Sequence, residues 1–163
     1  MIRSTYILAF YFSLISCYSF KGISIPPEVS TFAIDPVIDQ SFNAPATYPI
    51  DFSEAMITKI RKESRLSLNN QNPDVIFKCK VTQFLVNSQA PQPGVVSAIN
   101  RLNVTIEVEY DSKIDDKQDW KSSFTRYQDF GADQNFSSVQ QKLITDINLI
   151  LVDDIFNKAF TNW

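Results

Sequence analysis

The clearest pattern in the chain is an alternation. Leu102, Val104, Ile106, Val108 and Tyr110 are separated by Asn103, Thr105, Glu107 and Glu109, and Asp111 follows. A period of two puts five apolar side chains on one face of a strand, so this segment predicts a sheet with one side buried and one side wet. The run Asp74–Val86 is a second strand with a phase change. Its apolar positions are odd from Val75 to Val81 and even at Phe84 and Val86. A slip of one residue inside a strand is what a β-bulge produces. A third strand runs from about Trp120 to Tyr127, with Trp120 and Phe124 facing inward. Asn87–Asn100, which holds Pro91, Pro93 and Gly94, joins the first two, and the charged turn Lys113–Asp119 joins the last two. On the wet face Lys78 and Lys80 can oppose Glu107 and Glu109, a pairing worth tenths of a kcal/mol to about 1 kcal/mol.

Two stretches change to the helical period. Phe52, Met56 and Ile60 recur every four residues beside Ala55 and make one apolar stripe. Asp51-x-x-Glu54 reads as a capping box at its start, and the helix should end near Ser64. Its other face carries Lys59, Arg61, Lys62 and Arg65. Those cations are either an anion site or, as is commoner, the solvated face of an amphipathic helix. Ser137-x-x-Gln140 reads as a second capping box. After it Val139, Leu143, Ile147, Leu151 and Ile155 form a stripe that Leu149, Val152, Phe156 and Phe160 widen. A stripe this broad belongs to a helix lying flat on a sheet rather than to a coiled-coil seam. Val29–Ile34 adds a strand near the start, with Ser30, Phe32 and Ile34 on one side, and Asp35-Pro36 ends it. Residues 36–50 read as a loop. The order β-α-β-β-β-α predicts an α+β fold: a two-layer sandwich with an about four-stranded mixed sheet and two helices on one face.

The first residues change the picture from a fold to an address. Arg3 is followed by an apolar run from Tyr6 to Ile15, then Ser16 and Cys17. A basic start, an apolar stretch of about ten residues and a small residue at the cut describe a secretory signal. Cysteine directly after the cut, in Leu14-Ile15-Ser16-Cys17, is the layout of a bacterial lipoprotein signal. A retained membrane anchor would need about 20 apolar residues, and Ser13, Ser16, Ser19 and Lys21 interrupt this run. The expectation is a signal peptide over residues 1–16, an acylated Cys17, a tether over 17–28 that ends at Pro26-Pro27, and a single domain over 29–163. The lipid expected on Cys17 is N-acyl and S-diacylglycerol. Removing the signal leaves roughly 150 residues, enough for one domain with a real core.

Composition narrows the chemistry. The chain carries a formal net charge of −3, and losing Arg3 makes the mature protein more acidic, which disfavours nucleic acid as a partner. There is no histidine, so histidine triads, histidine metal sites and histidine acid–base pairs are excluded. Three glycines could hardly build a phosphate-binding loop. Asp115-Asp116 lies in a solvated turn, and Asp153-Asp154 sits on a helix where neighbours point apart by about 100°. Neither makes an acid–base site. Of the two cysteines, acylation removes Cys17 from disulfide chemistry. Cys79 falls in the inward phase with Val75, Phe77 and Val81, as a small hydrophobe. The expectation is a protein that is not an enzyme, with no metal and no cofactor.

Several stretches, taken in order, resemble a known family. They are Cys17-Tyr18-Ser19-Phe20-Lys21-Gly22-Ile23-Ser24-Ile25-Pro26-Pro27-Glu28-Val29, then Leu102-Asn103-Val104-Thr105, then Arg126-Tyr127-Gln128-Asp129-Phe130, and the tail from Asp153 to Trp163. Together they resemble the LptE family of Bacteroidota, outer-membrane lipoproteins of lipopolysaccharide assembly. The resemblance implies a lipid-anchored protein on the periplasmic side of the outer membrane. It implies a partner and plug for the large β-barrel translocon that carries lipopolysaccharide to the outer leaflet, and direct binding of lipopolysaccharide as well. An anionic glycolipid asks for cations beside apolar surface, and Lys78, Lys80, Arg61, Lys62 and Arg65 are the candidates. The alternative is a free-standing periplasmic lipoprotein that binds a lipid or small ligand in an apolar pocket of the sandwich.

Overall fold

The computed structural model describes residues 24–89 and 98–161. The expected signal peptide, Cys17 and the loop centre with Pro91, Pro93 and Gly94 lie outside the described residues. Six strands, β1 (Thr31–Ile34), β2 (Ile38–Asp39), β3 (Ser67–Leu68), β4 (Val75–Ser88), β5 (Ile99–Ser112) and β6 (Trp120–Gly131), form one mixed sheet. Two helices accompany it, α1 (Tyr48–Glu63) and α2 (Phe136–Phe160). The sheet order is β3-β1-β4-β5-β6, and β2 also pairs with β4. The four long strands match the expected order. The two-residue strands β2 and β3 are additions that no period in so short a segment can reveal.

The alternation on β5 is realised in the burial. Leu102, Val104, Ile106, Val108 and Tyr110 are all buried, and the intervening residues face away from the helices. β4 and β5 pair antiparallel with Lys78 opposite Glu109 and Lys80 opposite Glu107. The register shifts between Val81 and Gln83, so the phase change is a bulge that returns Phe84 to the core. β6 runs to Gly131 rather than Tyr127, because its pairing with β5 continues as far as Ile99 opposite Gly131.

Both helices start elsewhere than at the expected capping boxes. α1 begins at Tyr48, with Thr47 at the cap position and Pro49 in the first turn, where a missing N–H costs nothing. Asp51 is therefore a first-turn acid complementing the helix dipole, not the cap. Tertiary packing sets this start. Tyr48 is buried, its ring lies 5.3 Å from that of Phe84, and its hydroxyl donates to Asn148 Oδ1 at 2.9 Å. The C-terminus falls where expected, with the Ser64 N–H and hydroxyl both donating to Ile60 O. α2 is capped by Asn135, whose side chain accepts from Ser137 N at 3.0 Å. The expected stripe is buried from Leu143 to Phe160, but Leu149 is 65% exposed and lies outside it.

Inward-facing sheet residues and both helix stripes form one core. Aromatic side chains fill the end near the α2 C-terminus. Phe77 meets Tyr110 at 5.1 Å and Phe160 at 5.9 Å, and Tyr110 stacks on Trp120 at 5.5 Å.

At the same end Asp74 joins the first strand to β4. Its Oδ2 accepts from the backbone and hydroxyl of Ser30 and from the backbone and hydroxyl of Thr31, all between 2.8 and 3.0 Å. The Ser30 amide, then the Thr31 hydroxyl, hold its carboxyl down to about 2. A depressed folded value gives stability that is complete above the unfolded value near 4 and is lost as pH falls toward 2. Asp74→Asn is expected to cost about 1 kcal/mol at neutral pH, the low end for charge-assisted bonds near solvent. Urea midpoints of the two chains should converge between about pH 4 and pH 2. A gap that persists undiminished at the acid end would show that the charge is not what stabilises the junction.

Candidate functional site

The cationic candidates fall on two opposite sides of the molecule. Lys78 and Lys80 point from the open face of the sheet, and Arg61, Lys62 and Arg65 belong to the helix layer and the turn after it. No single ligand headgroup can touch both sets.

On the open sheet face the charges are matched. Lys78 Nζ donates to Glu109 Oε1 at 2.9 Å and also to Asp111. These two carboxylates, Asp111 before Glu109, hold the Lys78 ammonium well above the ordinary lysine range. Lys80 lies 3.8 Å from Glu107, which also takes Lys121 at 2.9 Å. Further along, Arg101 forms a two-pronged bond to Asp129 at 2.6 and 2.9 Å, and its guanidinium covers the Tyr127 ring at 3.8 Å. This ladder follows from the sequence, because directly opposite residues on an antiparallel pair share a face. An incoming phosphate would have to displace carboxylates already in place.

The helix side differs. Arg65 is turned onto the N-terminal segment, where its guanidinium donates to the carbonyls of Val29 (2.8 Å), Pro26 (2.5 Å) and Ile25 (3.2 Å). It acts as a clamp on the entering chain, a role that its place in a run of helix cations does not announce. Among the described residues, Arg61 and Lys62 are exposed and no carboxylate lies within ion-pair distance of either. Lys59, by contrast, bridges Glu63 at 2.8 Å and Asp153. A cleft of about 470 Å³ opens between the outer sides of α1 and α2. Ala55, Ile144, Leu149 and Val152 supply apolar wall, and the rim carries Lys62 and the paired Lys59 together with the carboxylates of Asp51, Glu54 and Glu63.

Cys79 is buried as its phase requires. Burial pushes its thiol up to about 12, with Asp35 adding to the effect, so at neutral pH it is neither thiolate nor reactive. Among the described residues no three metal-ligating groups come together, and no helix is long and apolar enough to cross a membrane. One exposed aromatic escaped the sequence reading. Phe42, in the β2–α1 loop, is 90% exposed with φ of +60°, a backbone conformation uncommon for a large side chain. A loop without periodicity carries no signal for such a residue.

A mixed sheet with one open face, two helices on the other and the chain entering at one end define a small two-layer α+β domain. Residues 29–159 match the family model of LptE, lipopolysaccharide assembly, and the chain belongs to that family. The family consists of outer-membrane-associated lipoproteins that serve assembly rather than catalysis. No curated protein is similar enough in sequence to match the chain. Among solved structures it is similar to a minor lipoprotein from Acinetobacter baumannii, with 12% identity, 82% of this chain and 97% of that one covered, and a TM-score of 0.50. It is also similar to a protein described as a homolog of neuraminyllactose-binding hemagglutinin from Helicobacter pylori. There the identity is 10%, the coverage 87% and 89%, and the TM-score 0.54. At these identities the two likenesses establish the fold and nothing more.

Proposed function

We propose that this protein is acylated at Cys17, is held on the periplasmic side of the outer membrane, and partners and plugs the β-barrel translocon that inserts lipopolysaccharide. The observation that carries this reading is the family match over residues 29–159. The lipoprotein signal before it supports the address. Copurification from detergent-solubilised membranes with a C-terminal tag is the direct test. An outer-membrane barrel should accompany the protein, and recovery without one would remove the translocon from the proposal.

Direct lipopolysaccharide binding is the second part. The five cations offered by the sequence are not equivalent candidates. Lys78 and Lys80 are engaged with carboxylates and Arg65 with backbone carbonyls, which leaves Lys62 on the rim of the interhelical cleft and Arg61 on the same helix without an ion-pair partner among the described residues. Anion binding at such exposed cations weakens with salt. Arg61→Glu with Lys62→Glu is expected to weaken lipopolysaccharide binding roughly tenfold at low salt, about 1.4 kcal/mol. Lys78→Gln should change it less than twofold. Both can be read by titrating fluorescent lipopolysaccharide. The reverse ranking would assign the ligand to the sheet face.

The alternative of a free-standing ligand-binding lipoprotein draws on the same cleft. The space between sheet and helices is filled by core side chains, so a pocket within the sandwich has no support among the described residues.

A further inference from the structure

The β2–α1 loop holds Phe42 out from the domain, and both ends of the loop are fixed to β4. Gln40 N donates to Val81 O at 2.9 Å. Tyr48, where α1 begins, packs its ring 5.3 Å from that of Phe84. Val81 and Phe84 flank the bulge, so the loop spans the place where β4 changes phase. Within the loop, Asp39 Oδ1 accepts from the backbone and hydroxyl of Ser41 at 2.8 and 2.7 Å. The Asn43 amide donates in turn to the Ser41 hydroxyl at 3.4 Å. Phe42 is left at the tip with φ of +60° and 90% of its surface exposed. A left-handed phenylalanine and a ring held in water both oppose folding, and such a conformation persists only where its surroundings impose it. At that exposure the ring packs against little of its own domain.

A ring on a fixed loop suits either a lipid layer or a pocket in a protein, and charge separates the two. From Ser24 to Thr58 the chain carries Glu28, Asp35, Asp39, Asp51 and Glu54 and no lysine or arginine. Among the described residues neither Asp35 nor Asp39 forms an ion pair. Lys80 stands opposite Ile38 across the β2–β4 pairing, but it is directed at Glu107, 3.8 Å away. The first cation of α1, Lys59, lies roughly 16 Å along the helix from Tyr48 and is bound to Glu63 and Asp153. Phe42 therefore stands in a negative neighbourhood. Anionic lipid, lipopolysaccharide included, is repelled there. An apolar pocket edged by lysine or arginine is complementary in both shape and sign. Aromatic anchors seated in such pockets and ringed by polar contacts carry much of the energy of protein–protein interfaces.

We propose that Phe42 anchors this domain to its barrel: the ring enters an apolar pocket of the barrel protein, and Asp39 faces a cation at the pocket's edge. The inference rests on the barrel partnership proposed above. The test uses the full chain with a C-terminal tag, expressed in cells that make the barrel and recovered from detergent-solubilised membranes. Phe42→Asn removes the ring but suits the left-handed backbone. It should lower the recovered barrel at least tenfold and leave the urea midpoint no lower than that of the parent chain. A benzophenone amino acid at position 42, irradiated in intact membranes, should give an adduct whose peptides belong to the barrel. A parent chain that brings no barrel removes the partnership, and the anchor with it. Where the parent does bring the barrel, undiminished recovery by Phe42→Asn overturns the anchor alone. So do adducts formed only with lipid or with another protein. Loss of the barrel together with a lowered midpoint would assign Phe42 to the domain's own structure and overturn the anchor as well.

Discussion

Cys17→Ala, expressed in excess over any barrel partner, is expected to abolish attachment of the processed chain to the outer membrane. The chain should appear in the soluble periplasmic fraction or remain as uncut precursor. The expectation follows from magnitudes. Each buried methylene of an acyl chain contributes about 0.8 kcal/mol, one chain holds a protein only reversibly, and stable anchoring takes a second chain or a second contact. Among the described residues no helix can substitute by crossing the bilayer. Fractionation with mass spectrometry of the N-terminus checks it. A variant that stays membrane-bound and is still cut after Ser16 would show that the cysteine is not the anchor. With a barrel present in equal amount, attachment should partly return, because linked contacts raise the effective concentration of each other.

Phe77→Ala is expected to be the most damaging single change in the domain, at about 3–5 kcal/mol. Phe77 is fully buried in β4 and touches both Tyr110 and Phe160. Its removal opens a cavity where sheet, α2 and the chain entry meet, and the rings around it cannot collapse together without moving two strands. Urea unfolding in the Cys17→Ala background measures the cost. Lys80→Gln on the opposite face of the same strand should cost less than about 0.5 kcal/mol, because its ion pair is long and near solvent. Similar losses from the two changes would mean that the surface ladder, not the aromatic core, holds β4 in place.

The same contrast explains how much was legible in the sequence. Five alternating residues on β5 and the phase slip on β4 gave strand, face, register neighbours and bulge, because a period of two is a local property of the backbone. The inward placement of Cys79 and the Lys78–Glu109 pairing came with it. Both helix starts were misread for a physical reason. A capping box is one way to satisfy the first amides, and burial of Tyr48 against Phe84 and Asn148 outweighed it. Leu149 was assigned to the buried stripe of α2, yet a stripe widened by one position already reaches solvent. The candidate site was legible only as residue types. Arg61, Lys62 and Arg65 are near neighbours in sequence and look alike there, but one grips the entering chain and the other two have no ion-pair partner among the described residues.

By itself, the sequence determined the two-layer α+β architecture, the inward place of the Cys79 thiol and the absence of histidine chemistry, and it supplied the pattern on which the proposed acylation of Cys17 rests. All of these follow from local periods, residue chemistry or position along the chain. Only the tertiary structure decided which cations are spent, because that depends on partners more than twenty-five residues away. It also decided where the chain enters. The hydrogen bond from Ser24 to Phe160 and the Arg65 clamp join segments distant in sequence, and no local pattern encodes a contact whose other half lies at the far end of the chain.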